Sequence, residues 1–275
     1  MITTEKSENA SKALKQARVI CILWGKKYTE DDVNRLYSMI ERNTSYSLDL
    51  HLFSDEKLPT LSQKITKHPT PKLHTDADHK KYAYRKEAAL CDDNLGNLRG
   101  HRVFFFDLDV LITGNLDELF NYPKNDEFYI IKDWNTTNGK VGQASCYSFV
   151  IGTLGFVKKN FEENAISVME KYGSASQEYL SAMVTEKFGK LNFWPDSWFK
   201  SFRFHCLPIG PLRHFKQPNP PPQGAKVIAF HGFPDIESAR IGRWFPRGIG
   251  SKSDRSWKKL YKACKPTKWI DSYWH

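Results

Sequence analysis

The sequence is poor in cysteine and lacks the spacings that put cysteine to structural use. Five cysteines, Cys21, Cys91, Cys146, Cys206 and Cys264, are scattered through 275 residues, with no C-x-x-C pair. An odd, dispersed set argues against a disulfide framework and a thiolate zinc site, and it fits a reducing, cytosolic compartment. Residues 1–16 are polar and mixed in charge, so no secretory leader is expected there. Long apolar runs are also missing. The longest cover residues 19–24 and 149–157, the second broken by Gly152, Thr153 and Gly155; a bilayer span needs about 20. No internal repeat or clear linker divides the chain. A cytoplasmic protein, soluble or peripheral on the inner face of a membrane, is expected.

What is present is a packed, basic chain. Hydrophobic residues make up 40% and aromatic residues 14%, which rules out a disordered chain. Lys and Arg number 41 against 31 Asp and Glu, a net charge of +10. That balance points to a polyanionic partner: nucleic acid, an anionic membrane surface or a phosphorylated substrate.

Residues 19–24 form a continuous apolar run, as expected of a strand buried on both faces. Thr29 then predicts a helix N-cap, with Glu30, Asp31 and Asp32 in the first turn, where the dipole favours carboxylates. Val33, Leu36, Tyr37 and Ile40 supply its apolar stripe. Residues 48–53 predict a second strand and 54–80 a loop. A helix is predicted over 82–95, and strands over 103–106, 127–131, 147–151 and 227–230. Two further helices are predicted over 161–172 and 177–188. The expected architecture is α/β: a single domain over residues 17–239 with a mixed, mostly parallel sheet flanked by helices, its first half Rossmann-like. A disordered lead-in, residues 1–16, precedes it, and a basic aromatic extension, residues 240–275, follows.

The most informative stretch joins the third strand to Asp107-Leu108-Asp109. Residues two apart share one face of an extended chain, and ligands of open α/β sheets bind at the carboxyl ends of strands. Two hard oxygen ligands there suit Mg²⁺ or Mn²⁺ held together with substrate phosphates. A solvated pair of loop carboxylates is the plain alternative.

The block from Val103 to Phe120 resembles the metal-binding core of nucleotide-sugar-dependent glycosyltransferases of the GT-A fold, and in particular the small bacterial enzymes related to the lipopolysaccharide galactosyltransferase/glycogenin group. Other blocks follow in the same order: Trp24-Gly25-Lys26-Lys27-Tyr28, Arg85-Lys86-Glu87, Lys132-Asp133-Trp134, Gln177-Glu178, Trp194-Pro195-Asp196-Ser197-Trp198 and Phe230-His231-Gly232. The likeness covers roughly residues 17–235. The chain departs from the family at Tyr147, at Ser176 and at Phe233-Pro234-Asp235.

The resemblance implies transfer of a sugar from a nucleoside-diphosphate sugar, UDP favoured, to a glycan, glycolipid or phosphorylated glycan acceptor. Asp107, Asp109 and His231 would hold Mn²⁺ or Mg²⁺, with Asp107 also facing the nucleotide. Trp24, Gly25, Tyr28, Lys86 and Gly232 would line the nucleotide site. Gln177 would face the donor sugar, and Glu178 would be the base of an inverting reaction. Each has a structural alternative: core packing for Trp24, a strand-end hydrogen bond for His231, a surface role for Lys86 and an exposed helix start for Gln177. In the 240–275 extension, basic and aromatic residues alternate as they would against an anionic membrane surface.

Three other readings remain. Phe105 to Leu111 resembles the first motif of haloacid-dehalogenase phosphohydrolases, with Asp107 as nucleophile, yet no G-D-x-x-x-D pair follows. A basic nucleic-acid-binding protein fits the charge, though no helix-turn-helix, zinc finger or RNA-recognition signature appears. A sugar nucleotidyltransferase would need a Gly-rich loop after the first strand, and none is present.

Overall fold

The structure is a computed structural model and describes residues 15–78, 83–135, 139–246 and 262–275. The predicted lead-in lies mostly outside these residues, but the first strand, β1 (Gln16–Ile22), starts at its last residue. Helix α1 (Glu30–Arg42) follows from Thr29, whose backbone N–H donates to the Asp32 carboxylate at 2.9 Å. Strand β2 (Ser47–Phe53) returns parallel to β1. Next come β3 (Ile65–His68), α2 (Tyr84–Glu87), β4 (Arg102–Phe106), β5 (Val110–Ile112) and α3 (Asp117–Asn121). The second half holds β6 (Tyr129–Lys132), β7 (Gly142–Val150), α4 (Gly155–Tyr172), α5 (Ser176–Phe188), β8 (Asn192–Phe193), β9 (Phe199–Ser201), β10 (Val227–Ala229) and α6 (Ile236–Ile241).

Among the described residues the strands form a seven-stranded sheet, ordered β3-β2-β1-β4-β7-β6-β8, and a three-stranded sheet, β5-β10-β9. In the large sheet only β7 runs against its neighbours. Side chains of β1 alternate between the two sides: Val19 and Cys21 enter one core cluster, Ile20 and Ile22 the other. The same alternation sends Phe104 and Phe106 one way and Val103 and Phe105 the other. Both strands are buried on both faces, which is why their sequences read as unbroken apolar runs. The order 3-2-1-4 reverses between β1 and β4, the switch point where α/β sheets bind ligands.

Several expectations are corrected. The helix predicted over 82–95 is helical only across Tyr84–Glu87, followed by 3-10 turns at Ala89–Cys91 and Leu95–Asn97. Ala88 to Cys91 are all buried, so the segment has no polar face to show water. Asp92, Asp93 and Asn94 then favour turns through their side chains, and Gly96 takes a φ of 58°. Strand β3 lies inside the predicted loop. It is a short edge strand whose Ile-Thr-Lys-His gives almost no apolar signal. The strand expected over 147–151 extends back to Gly142 and is buried throughout. Helix α6 crosses the expected 239/240 boundary. Residues 262–275 fold back onto the body, with Ile270 fully buried. The basic stretch 247–261 of the expected extension lies outside the described residues. No helix among the described residues is long and apolar enough to cross a membrane.

Candidate functional site

Asp107 and Asp109 occupy the turn that carries the chain from β4 of the large sheet to β5 of the small one, rather than an extended strand end. The turn is pinned on both sides: Asp107 N–H donates to Ser145 O of β7 at 2.9 Å, and Phe230 N–H donates to Asp109 O at 2.9 Å. Both side chains therefore sit where the sheets meet, beside the β1–β4 switch point.

The two carboxylates differ in environment. Asp107 accepts from its neighbour's backbone, Leu108 N–H, at 3.1 Å, and from Lys86 Nζ at 2.8 Å. Lys86 also lies 3.2 Å from Glu87. Burial alone would lower the lysine's pKa, but Asp107 and Glu87 outweigh it and hold the ammonium above its usual value. Asp109 is buried and its Oδ1 has no partner. Its Oδ2 accepts from Tyr28 OH at 3.3 Å, and Lys27 Nζ stands 3.9 Å away. Burial, then the neighbouring Asp107, push the Asp109 carboxyl up to about 7. A buried carboxylate with an orphaned oxygen, beside a second carboxylate, is a donor set that a hard divalent cation satisfies.

Asp109 opens into a cleft of about 610 Å³. Its walls include Tyr28 and Thr29 from the start of α1, Asp235 and Glu237 from the start of α6, and Trp274. The guanidinium of Arg35 lies 4.5 Å from the Trp274 ring centre, Arg42 donates to Tyr273 O at 3.0 Å, and Arg240 pairs with Asp271 at 3.4 Å. A second groove of about 550 Å³ shares Tyr28 and Thr29 and runs past Gly25 to Glu56 and Lys57, at the ends of β1 and β2. Gly25 holds a φ of +70°, a conformation other residues rarely take, so it lets the chain turn sharply off β1.

The structure brings together Tyr28, Gly25, Lys86, Asp107 and Asp109 of the residues singled out in the sequence. Trp24 is partly buried and packs against the core cluster on the opposite side of the sheet. Gln177 lies on the β7 side, where its Oε1 accepts from Ala144 N–H at 3.4 Å. Glu178 is exposed and faces another groove, lined by Val141, Tyr172 and Leu191, which shares no residue with the Asp109 cleft. His231 pairs with Ser201 Oγ at 2.7 Å and stacks on Trp134, ring centres 5.4 Å apart. Burial, then Arg203, lower its pKa. Among the described residues no three His, Cys, Asp or Glu side chains gather into a metal-sized cluster, so His231 does not join the aspartates in this arrangement. Gly232 follows it at a φ of +78°.

Lys27, Glu87 and Asp235 fall within blocks quoted from the sequence but were given no role there, and Arg35 and Trp274 were given none either. Lys27 and Glu87 adjoin Tyr28 and Lys86 in sequence, whereas Arg35, Asp235 and Trp274 reach the site through contacts distant in sequence.

No family model matches the chain, and no curated protein sequence matches it. Solved structures do. The apo WbbM bifunctional glycosyltransferase superposes with a TM-score of 0.53 at 14% identity, covering 83% of this chain and 48% of that one. Apo GlyE, a glycosyltransferase of Streptococcus pneumoniae TIGR4, gives 0.52 at 11% identity over 94% of this chain and 64% of its own. This chain thus matches less than two thirds of the length of either. The galactosyltransferase LgtC, solved with donor and acceptor sugar analogs, gives 0.51 at 12% identity over 92% of this chain and 99% of LgtC. At these identities the likeness concerns the fold: the chain has the mixed α/β, GT-A-like fold of these glycosyltransferases.

Proposed function

We propose that the protein transfers a glycosyl group from a nucleoside-diphosphate sugar, a UDP-sugar by preference, to a hydroxyl of a glycan, glycolipid or phosphorylated glycan. The observation that carries this reading is the partnerless buried oxygen of Asp109, paired with Asp107 at the switch point of a sheet shared with glycosyltransferases. Mn²⁺ or Mg²⁺ would be held by Asp107 and Asp109, and when bound it supplies positive charge against a departing diphosphate.

The chain's own groups do the remaining work. Lys86, fixed between Asp107 and Glu87, holds Asp107 in place. Lys27 is exposed above Asp109 and adds a cation at the cleft mouth. Tyr28, between the two grooves, offers an aromatic face to a nucleobase. Glu178 faces elsewhere, so general-base work falls to a carboxylate inside the cleft, where Asp235 and Glu237 stand at the α6 wall.

A thermal-shift panel of UDP, GDP and CMP, each with and without Mn²⁺, tests the reading. A nucleotide present at 100 times its Kd adds about 2.7 kcal/mol of apparent stability. UDP with Mn²⁺ is expected to stabilise most, and Asp109→Asn to abolish the metal-dependent part. Equal melting temperatures across the panel would reject the reading, and hydrolysis of p-nitrophenyl phosphate with Mg²⁺ would favour a phosphohydrolase.

A further inference from the structure

The segment between β9 and β10 has no role in the site described above. Residues 199–226 contain Lys200, Arg203, Arg213, Lys216 and Lys226, and not one aspartate or glutamate. Three of its apolar side chains stand in water: Ile209 is 84% exposed, Phe215 80% and Leu212 46%. They are spaced three apart about the 3-10 turn Gly210–His214. Backbone bonds hold that spacing, Leu212 N–H to Ile209 O at 3.1 Å and Phe215 N–H to Leu212 O at 3.0 Å. Ile209 and Phe215 bracket the turn as its end residues and Leu212 lies within it, so three exposed apolar side chains fall within seven residues and make a short apolar ridge.

The ridge stands on a fixed base. Arg213 Nε donates to Pro208 O at 2.8 Å, and its guanidinium lies 5.5 Å from the Trp244 ring centre. Cys206 and Leu207 beneath it are buried. Single exposed apolar residues are ordinary, but an exposed apolar cluster rimmed by one sign of charge marks an interaction surface.

The chemistry selects the partner. Ile209 and Leu212 are aliphatic and cannot stack on nucleobases, which disfavours single-stranded nucleic acid. A second copy of the chain would set Arg203 and Lys216 against their own equivalents. An anionic bilayer satisfies both features, with apolar side chains entering the headgroup boundary and cations resting on lipid phosphates. The described aromatics of the 240–275 segment do not compete for this role, since Trp244, Trp269, Tyr273 and Trp274 pack against the core.

We propose that the Ile209–Leu212–Phe215 ridge, flanked by Arg203 and Lys216, docks the protein on an anionic membrane surface. Phe204, on the preceding turn, is 46% exposed and stacks on His231, with ring centres 5.7 Å apart, so the docking face adjoins the His231 side of the fold. Docking is independent of the reaction proposed above and is read without it.

The test is co-sedimentation of the full chain with vesicles of equal parts phosphatidylcholine and phosphatidylglycerol, and with phosphatidylcholine alone. Binding to the anionic vesicles only, at low salt, is expected. Arg203→Gln and Lys216→Gln should each lower the partition coefficient roughly fivefold. The double variant Ile209→Ser, Phe215→Ser should lower it about tenfold or more, with an unchanged melting temperature because both side chains are solvent-exposed. Unchanged binding by that double variant would place the contact elsewhere, for instance on the basic stretch 247–261, and overturn the proposal. No binding to either vesicle overturns it too. So does a concentration-dependent dimer, or a shift with single-stranded oligonucleotides, that the same double variant abolishes.

Discussion

Lys86 Nζ lies 2.8 Å from Asp107 Oδ2 and is itself almost wholly buried, with Glu87 3.2 Å away on its other side. One ammonium thus pairs with two carboxylates at the point where the two sheets meet. The Oε2 of Glu87 has no partner, and burial raises that carboxyl's pKa. The lysine is therefore structural before it is anything else.

Replacing it should show this directly. Lys86→Met is expected to cost about 3–5 kcal/mol, the usual penalty for leaving buried charge uncompensated. Chemical denaturation without added metal measures it. Mn²⁺ should then stabilise Lys86→Met more than the parent chain, because Asp107 has lost its partner ammonium. Equal Mn²⁺ responses would mean that Asp107 takes no part in cation binding.

Asp109→Asn makes the opposite change. In the absence of divalent cations it replaces a buried, partly unpartnered charge that has Asp107 beside it by a neutral amide, which costs less to bury. The variant should be about 1–3 kcal/mol more stable than the parent without metal, on the scale of an unsatisfied buried group. It should also gain nothing from Mn²⁺. A variant less stable than the parent in EDTA would show that the orphaned oxygen is satisfied in solution.

How far the sequence disclosed this can be judged from particular residues. Strands β1 and β4 were legible because burial on both faces leaves an uninterrupted apolar run, and β2 because Leu48, Leu50 and Leu52 alternate with Asp49 and His51. Thr29 and its acidic first turn marked α1 because capping is local. The Asp107–Asp109 pair was legible through its position after β4 and through its neighbours. Strand β3 was not, since an edge strand of four residues needs no apolar pattern. The short α2 defied expectation because the residues after it, Ala88 to Cys91, are buried all round, and no periodic stripe survives there. Trp274 and Asp235 were invisible as site residues. Each reaches the cleft through tertiary contacts; Trp274 belongs to no motif, and Asp235 stands where the chain departs from the family's pattern. The placements of Glu178 and Trp24 depended on which way a helix start and a strand end turn, which a single sequence does not state.

A third prediction concerns acid. His51 Nδ1 and His68 Nε2 are 2.9 Å apart on β2 and β3, and Asp49 Oδ1 is 3.0 Å from His51 Nε2. Burial, then His51, lower the His68 pKa below 6.5. A depressed histidine stabilises the fold above its unfolded pKa, and that stability is lost as pH falls through the folded value. The melting temperature should therefore drop between about pH 7 and pH 5, the range in which histidine takes up its proton. His68→Gln, which cannot be protonated there, should flatten that slope while costing a little at neutral pH. An unchanged slope would remove the histidine pair from the acid response.

The last prediction concerns the far wall of the cleft. Trp274 is half-buried, faces the same space as Asp109 and Tyr28, and is held by the Arg35 guanidinium at 4.5 Å. Its backbone is tied down by Trp274 N–H to Ile270 O at 2.9 Å, and Ile270 is fully buried. A half-exposed indole fixed in this way presents a flat face to whatever ring enters the cleft. Stacking on such a face is worth about 1–3 kcal/mol per base. Trp274→Ala should accordingly weaken UDP binding in the presence of Mn²⁺ by about tenfold or more, read by calorimetry, and Trp274→Phe should restore most of it. The ligand-free melting temperature separates this from packing damage. If Trp274→Ala melts early yet binds UDP with the parent's affinity, the indole only closes the wall. If UDP binding is unchanged but KM for an acceptor sugar rises, the ring seats the acceptor and not the nucleotide.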